Sequence, residues 1–421
     1  MRCAPIIINM ARVWLILCGA ALQLAAQNGL AAQDRTLAEQ NVALLQRVRA
    51  HMVETLARQP DYTCLETVQR SNRAGKEKEF RLLDTVRLEV ALVDGREMFA
   101  WPGSKQFEDS DMRAFVPTGM FGNGDFGLYA RAVFAGRSTE FEHKGEAKLG
   151  DQATTRFDFH VPVSSGMRIR SLDLAATVGY HGSFYAETGT LDALRLEVEA
   201  DALPEKLDLR QVSDTMEYKR TRIGGGDFLL PSSSDTLMVN LRGDASRNMV
   251  RFSDCHEFSG ESTLKFGDDD AADAAAAPSA ASAAGAKREL TLPRNAEIVL
   301  RLVDEIDTNN AAVGDPVRAA LASDVKEKGQ VLFHKGVEVS GRIVRLEHYE
   351  NFTVLGLMFH EAESETAHAY LNLAWDRAMG EDVLASPRWG ASSPARPHEG
   401  LVPLRPGHLH VSRGVVMFWR N

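Results

Sequence analysis

The sequence has no excess of positive charge. Its 421 residues include 48 lysines and arginines against 58 aspartates and glutamates, which gives a formal net charge of -10 at pH 7. A surface that binds nucleic acid needs clustered basic side chains, so this composition argues against a nucleic-acid partner. Hydrophobic residues make up 44% and charged residues 25%, as in ordinary soluble proteins, and the length favours two domains.

Long apolar runs are also scarce, and the one that stands out lies at the start of the chain. Val13–Ala26 reads VWLILCGAALQLAA and follows Arg2 and Arg12, a pattern typical of a secretory signal peptide. The run is too short to span a bilayer comfortably. We therefore predict that residues 1–32 are a signal that exports the protein to the periplasm or out of the cell. A lipid-bearing Cys18 and an uncleaved anchor are the alternatives.

Cysteine is rare, with four residues in the whole chain. Cys3 and Cys18 lie in the predicted signal, so the mature protein would keep Cys64 and Cys255. Two cysteines in an oxidising compartment predict one disulfide. Two unrelated buried thiols are the alternative. A metal site is less favoured, because His256 follows Cys255 directly and neighbours on a strand point to opposite faces.

The motifs of common enzymes are missing as well, since the chain has no G-x-S-x-G elbow and no P-loop. The GNGDFG run at Gly122–Gly127 matches G-x-G-x-x-G, but no strand and crossover helix surround it. His360 and His368 are eight residues apart, unlike the zinc-binding H-E-x-x-H pair. His408 and His410 would share a strand face, and an exposed pair is the favoured interpretation. We predict no enzymatic activity, no cofactor and no metal.

The patterns that are present belong mainly to β-strands. A helix is predicted to begin with a capping box at Thr36 and to end before Pro60. From there to about residue 266 the dominant period is two. Hairpins are predicted around Asp94–Gly95, within Tyr180–Ala200 and at the glycines of Asp214–Pro231.

These elements predict a mainly β (α+β) protein of two domains. Residues 34–266 are expected to form a curved antiparallel half-barrel sheet, covered by the first helix and by a helical lid at residues 109–135. Residues 267–288, rich in Ala and Asp, have the composition of a disordered linker. Residues 289–421 contain short β segments separated by glycine turns and are expected to form a smaller β-barrel-like domain.

Three short stretches of the first domain carry a family resemblance: YTCLETVQR (Tyr62–Arg70), FLLP (Phe228–Pro231) and RNMVRFSDCHEFSGESTLKF (Arg247–Phe266). They resemble secreted, uncharacterised proteins of acidobacteria-type genomes. The order of elements is similar to the periplasmic lipoprotein-carrier superfamily of the LolA, LolB and RseB type. In that family a half-open β-barrel with a helical lid holds an acyl chain. No functional residue of the carriers matches a position in this sequence.

The second domain resembles the β-barrel domain of type IV secretion channel proteins. The likeness lies in Ala296–Val325 and in GQVLFHKGVEVSGRIV, Gly329–Val344. It departs from that family because no transmembrane helix or proline-rich arm precedes it. The resemblance implies a β-barrel, and we expect this domain to dock on a protein of the cell envelope.

The carrier resemblance implies that the apolar strand faces of the first domain line a ligand cavity, because such cavities are walled by apolar side chains with few polar groups. We therefore expect an exported protein that binds a lipid, an acyl chain or a lipoprotein. The alternative, from another class, is a structural or sensing interaction module of the periplasm with a fully packed sheet. The predicted cavity residues are Leu88, Val90, Phe157, Phe159, Tyr180, Phe184, Leu194 and Leu196.

Overall fold

The structure is a computed structural model that describes most of the chain beyond the predicted signal. The described residues are 36–104, 106–108, 115, 126–171, 174–258, 263–265, 287–348, 352–384, 397–405 and 409–421. The predicted signal at 1–32 lies outside them, as does all but the last two residues of the predicted linker. Of the predicted lid, residue 115 and residues 126–135 are described.

The described chain contains two α-helices, and almost all other regular structure is β. Helix α1 is described over residues 36–57, and α2 is Leu128–Ala135. Two 3-10 turns lie at Val163–Ser165 and Glu205–Leu207. The strands before the predicted linker are β1 (Tyr62–Arg73), β2 (Arg81–Val93), β3 (Arg96–Ala100), β4 (Gln106–Glu108), β5 (Glu140–Leu149), β6 (Gln152–Val161), β7 (Met167–Ser171), β8 (Leu174–Val178), β9 (Tyr180–Glu187), β10 (Ala193–Ala200), β11 (Leu209–Ile223), β12 (Gly226–Asn240), β13 (Ala245–Glu257) and β14 (Thr263–Lys265).

Twelve of these strands form one curved sheet in the order β14-β4-β3-β2-β1-β13-β12-β11-β10-β9-β6-β5, and β7 and β8 form a separate ribbon. Every described pairing in the large sheet is antiparallel except that of β14 with β4. The first strand therefore lies beside β13, the last long strand. The mainly β fold class with a curved half-barrel sheet is confirmed.

The predicted hairpins are confirmed. β2 and β3 are joined by Asp94 and Gly95, whose φ angles of 51° and 75° are those of a tight hairpin turn. β9 pairs with β10, and β11 pairs with β12 across the turn at Gly224. A positive φ angle is unfavourable for most residues other than glycine, so the glycines mark these turns in the sequence.

Helix α1 lies on the concave face of the large sheet. Val48, Met52 and Leu56 recur at helical spacing, and all three are buried in the first core. Asp192, next to β10, fastens the helix, because its carboxylate accepts a hydrogen bond from His51 (2.7 Å) and two from Arg220 (2.8 Å each). Burial alone would raise the pKa of Asp192, but these hydrogen bonds lower it.

The predicted disulfide between Cys64 and Cys255 is present. It joins neighbouring strands, β1 and β13, where the strand register shifts between Thr63 and Leu65. Cys64 is fully buried on the concave face, and Cys255 packs against the same core. The bridge therefore ties the first long strand of the sheet to the last.

The second part of the chain forms a nine-stranded, barrel-like sheet with its own core. The strand order is β15-β23-β22-β21-β18-β16-β27-β24, and β25 also pairs with β22. Inside it, Arg345 donates to both oxygens of the buried Glu399 at 2.7 and 2.9 Å. Two separate two-stranded sheets, β17-β26 and β19-β20, lie in the same part of the chain. The described strands of this part are β15 (Arg288–Glu289), β16 (Glu297–Leu302), β17 (Ile306–Asp307), β18 (Pro316–Leu321), β19 (Val325–Glu327), β20 (Gln330–Phe333), β21 (Glu338–His348), β22 (Thr353–Glu363), β23 (Ala367–Tyr370), β24 (Ala374–Met379), β25 (Gly400–Leu404), β26 (His410–Val411) and β27 (Val416–Arg420).

The two sheets meet at the half of β2 that β3 leaves unpaired. Val313 exchanges two backbone hydrogen bonds of 2.8 Å with β2 and packs into the first core. Arg87 donates to both oxygens of Asp315 at 2.6 Å. Gly314 lies between these contacts with φ +103°, and a Cβ there would approach the carbonyl oxygen of Arg87 to 2.2 Å and the ring of Trp101 to 2.8 Å.

We expect replacement of both Cys64 and Cys255 by serine to lower the free energy of unfolding. The bridge spans 191 residues, and constraining so long a loop in the unfolded chain is worth up to about 5 kcal/mol. Urea unfolding of the oxidised protein and of the variant would measure the loss. Equal midpoints for the two proteins would contradict this role.

We expect Gly314→Ala to separate the two sheets. The alanine side chain would collide with Arg87 and Trp101, and the positive φ alone costs a non-glycine residue about 1–2 kcal/mol. Small-angle X-ray scattering should show a larger radius of gyration. Gly189→Ala, in open space at the β9–β10 turn, is the matched control and should leave the scattering unchanged.

Candidate functional site

Seven of the eight predicted cavity residues lie together in the core beneath α1. They are at most 4% exposed and belong to one continuous apolar cluster on the concave face of the large sheet. Alternation along the strands brings them there, because every second side chain faces the same side of a sheet. These seven residues are Leu88, Val90, Phe157, Phe159, Tyr180, Phe184 and Leu196.

Leu194 differs from the predicted alternation. The pairing of β10 with β9 shifts register between Ala193 and Arg195, so Leu194 occupies a β-bulge. Ala193 is fully buried in the apolar cluster, whereas Leu194 is half-buried and is not part of it. The extra residue of the bulge reverses the alternation at this point.

Aromatic rings fill the concave face where it is formed by β6 and β9. Phe157 and Phe184 are stacked with ring centroids 4.9 Å apart, and Phe134 of α2 meets Phe184 edge-on at 4.9 Å. Such pairs stabilise a protein beyond the area that they bury. This part of the predicted cavity is therefore occupied by the protein's own side chains.

The concave face carries a polar residue on its central strand. Glu66 of β1 faces the core between Cys64 and Val68, and its neighbours across the sheet are Leu88 on β2 and Phe252 on β13. The Glu66 side chain is 0% exposed. Within the described chain neither of its carboxylate oxygens has a hydrogen-bond partner.

Burial raises the pKa of Glu66 well above the ordinary value of a glutamate, and the negative charge of Glu97 raises it further. Loss of the proton would leave a charge inside an apolar core, which is far more costly than keeping the neutral acid. A protonated carboxyl group has one O–H donor and further acceptor capacity. Glu66 can therefore donate a hydrogen bond to a neutral acceptor.

A second polar row crosses the same face nearer to α2. Leu92 on β2 lies opposite Tyr62 on β1 and, on its other side, opposite Glu97 on β3. The hydroxyl of Tyr62 is buried with no hydrogen-bond partner among the described residues. Burial raises the pKa of Tyr62, an effect that Arg131 opposes and Glu97 reinforces. The backbone N–H of Gly127, at the start of α2, donates to Glu97 at 3.2 Å.

Side-chain hydrogen bonds help to hold α2 over this face. Arg131 donates to the side-chain oxygen of Gln59 at 3.0 Å, and Gln59 donates to the carbonyl of Leu229 at 2.7 Å. On the other side, Arg49 of α1 donates to the carbonyls of Phe134 and Gly136. Hydrogen bonds therefore reach α2 within the helix, at Arg131, and at its C-terminal end.

The sequence prediction did not include Glu66 or Tyr62 among the cavity residues. The pattern that identifies them is present in YTCLETVQR. Tyr62, Cys64, Glu66 and Val68 occupy every second position there, so their side chains share one face of the strand. A glutamate in the buried register of a predicted strand is the feature that identifies the site. Its lack of a partner could be found only in the folded structure.

The opposite face of the sheet bears a polar groove of about 640 Å³. His160 and His181 face each other across β6 and β9, and both lie within hydrogen-bonding range of Asp201, at 3.3 and 2.6 Å. The described residues contain no group of His, Cys, Asp or Glu side chains arranged to hold a metal ion. Most residues that line the groove are polar residues of β5, β6, β9, β10 and β11, and Phe141, Phe159 and Val198 also contribute.

The histidines considered in the sequence lie on different strands where the structure describes them. His360 lies on β22 and His368 on β23, while His410 is on β26 and His408 lies outside the described residues. Burial lowers the pKa of His360 to about 4, and the nearby positive charge of Arg342 adds to the effect. His360 is therefore neutral at physiological pH.

No helix in the described parts of the chain has the length and apolar character needed to cross a membrane.

Three solved structures illustrate what the chain is similar to. A LolA superfamily protein from Nitrosomonas europaea is 12% identical, with a TM-score of 0.27, over 51% of this chain and 93% of its own. A domain described as an outer membrane lipoprotein-sorting protein, from Vibrio parahaemolyticus, is 13% identical with a TM-score of 0.26 over 53% and 94%. A DUF1329 family protein from Desulfovibrio piger is 12% identical with a TM-score of 0.29 over 51% and 93%.

At these identities and TM-scores the similarities assign neither a family nor a function. No protein-family model and no curated protein matches the chain.

We expect Glu66 to make folding less favourable as the pH rises. Below about pH 4.5 both folded and unfolded states keep the proton, and at higher pH the unfolded state loses it first. Stability then falls by up to about 1.4 kcal/mol per pH unit until the folded-state pKa is reached. Glu66→Gln cannot ionise and should lack this fall.

The comparison requires urea unfolding of the wild-type protein and of Glu66→Gln at several values between weakly acidic and neutral pH. Other titrating groups are common to both proteins, so the difference between their stabilities isolates Glu66. Parallel stability curves would show that Glu66 does not retain its proton on folding.

Proposed function

We propose that this is an exported cell-envelope protein that binds a lipid, an acyl chain or a lipoprotein against the concave face of its first sheet. The observation that carries the proposal is the fully buried Glu66, which has no hydrogen-bond partner in the described chain and lies within a continuous apolar surface. Ligand sites combine apolar walls with a few polar groups that fix the orientation of the ligand. The concave face has this composition.

Apolar burial would supply the affinity. Each methylene that leaves water contributes about 0.8 kcal/mol, so a buried chain of about eight carbons contributes about 6 kcal/mol. Entry of a chain requires α2 to move away from the sheet. Such a movement would break the hydrogen bonds from Arg131 to Gln59 and from Arg49 to the C-terminal end of α2.

The second sheet would dock the protein on an envelope partner. Support comes from the strand β24, which forms backbone hydrogen bonds with β27 on one edge, has no second hydrogen-bonded strand in the described chain, and exposes Met379. An open strand edge with an apolar side chain can pair with another protein. Export itself rests on the predicted signal at residues 1–32.

A structural or sensing module without a ligand is the second candidate. The observation that favours it is the packing of Phe134, Phe157 and Phe184 at centroid distances of 4.9 Å, which fills part of the concave face. The two candidates differ in whether the region around Glu66 takes up an acyl chain.

We expect the protein, exported into a bacterial periplasm and purified without detergent, to carry an acyl-containing species in near-stoichiometric amount. Native mass spectrometry followed by organic extraction would detect it. Empty protein that also fails to load from phosphatidylethanolamine vesicles would favour the module without a ligand.

Two tryptophan substitutions on β1 provide a matched pair for the same measurement. Val68 faces the concave side, and the adjacent Thr67 faces the opposite side of the strand. We expect Val68→Trp to reduce loading by about tenfold, because the indole takes up ligand volume, and Thr67→Trp to leave it unchanged. Equal loading of the two folded variants would contradict a site on the concave face.

A further inference from the structure

We propose that Glu66 is the polar anchor of the concave face and selects acyl ligands that carry a neutral hydrogen-bond acceptor, namely an ester or amide carbonyl. This inference rests on the proposed function and deepens it. It follows from the hydrogen-bond partners of buried carboxyl groups in this structure and from the charges around Glu66.

Two other buried carboxyl groups of the described chain have hydrogen-bond partners. Asp192 accepts hydrogen bonds from His51 and Arg220, and Glu399 accepts two from Arg345. Glu66 is buried as completely, yet it has no hydrogen-bond partner within the described chain. An unsatisfied buried polar group destabilises the folded protein, so a ligand that supplies the missing partner gains the corresponding interaction.

The surroundings of Glu66 decide what kind of partner fits. Its cross-strand neighbours Leu88 and Phe252 are apolar, and the charge that acts on it in the described chain is that of Glu97, which is also acidic. A fatty-acid carboxylate would be repelled there. An ammonium group would have to leave water for an apolar site, which is costly.

A neutral carboxyl group paired with a neutral carbonyl avoids both costs. The O–H of protonated Glu66 donates, and the carbonyl oxygen of the ligand accepts. The apolar neighbours on either side would contact the alkyl chain. A lipid that bears an ester and a lipoprotein that bears an N-acyl amide both offer this chemistry.

Tyr62 places a second polar group on the same strand face. It precedes Glu66 by four residues, which corresponds to about 13 Å along a strand. Its buried hydroxyl is also unpartnered in the described chain and lies beneath Phe126 and the start of α2. The polar groups of the face therefore follow β1, with apolar side chains between them.

The test compares two lipids that differ in their carbonyl groups. The ester 1,2-dioctanoylglycerol and the ether 1,2-di-O-octylglycerol have the same number of chain carbons. We expect wild-type protein, measured by isothermal titration calorimetry, to bind the ester about tenfold more tightly than the ether. N-octanoyl-alanine amide then reports whether an amide carbonyl is accepted as well as an ester.

Variants of Glu66 identify the residue responsible. Glu66→Leu should bind the ester and the ether equally, because it has no donor, and Glu66→Gln should keep part of the preference through its amide N–H. Gln69→Leu, at an exposed position of the same strand, is the control and should behave as wild type. Circular dichroism confirms that each variant is folded.

The outcomes separate this inference from the proposed function. If the wild-type protein binds neither lipid, the proposed function fails. If it binds both lipids equally, or if folded Glu66→Leu keeps the preference for the ester, the role of Glu66 is overturned while lipid binding stands.

Discussion

The pairing of β1 with β13 is the constraint on which the rest of the first sheet depends. It brings the first strand and the last long strand of a segment of nearly two hundred residues together, and the Cys64–Cys255 bridge joins them covalently. With β2 on its other side, β1 is an interior strand of the sheet. Every second side chain of β1 therefore faces the concave core. Both the burial of Glu66 and the position of Tyr62 follow from that central placement.

Burial has different consequences at different carboxyl groups of this protein. Asp192 accepts hydrogen bonds from His51 and Arg220, and Glu399 accepts them from Arg345, so each links elements that are distant in the chain. Glu66 has apolar neighbours instead, and its burial lowers stability because no hydrogen bond in the described chain compensates for the loss of water. A cost of this kind within a core is typical of positions kept for binding rather than for folding, which is why we place the candidate site there.

Much of the first sheet could be predicted from local patterns. Asp94 and Gly95 require a tight turn, and alternation in the neighbouring strands places Leu88, Phe157 and Phe184 on one face, as the structure has them. The same reasoning failed at Leu194, because a β-bulge adds a residue and reverses the alternation. Bulges depend on the neighbouring strand and leave little trace in one strand's own sequence. The contact of Val313 with β2 was also beyond a sequence-based prediction, since it joins two separately patterned parts of the chain.

The sequence by itself determined the class of the fold, the turns of its hairpins and the candidate cysteine pair, because these depend on short-range patterns and on the small number of cysteines. It also placed Glu66 in the buried register of β1. Tertiary structure alone decided that no donor reaches this carboxyl group in the described chain, while donors do reach Asp192. The reason is physical: hydrogen-bond satisfaction depends on side chains from distant strands and helices, and only the packed fold brings those side chains within reach or keeps them away.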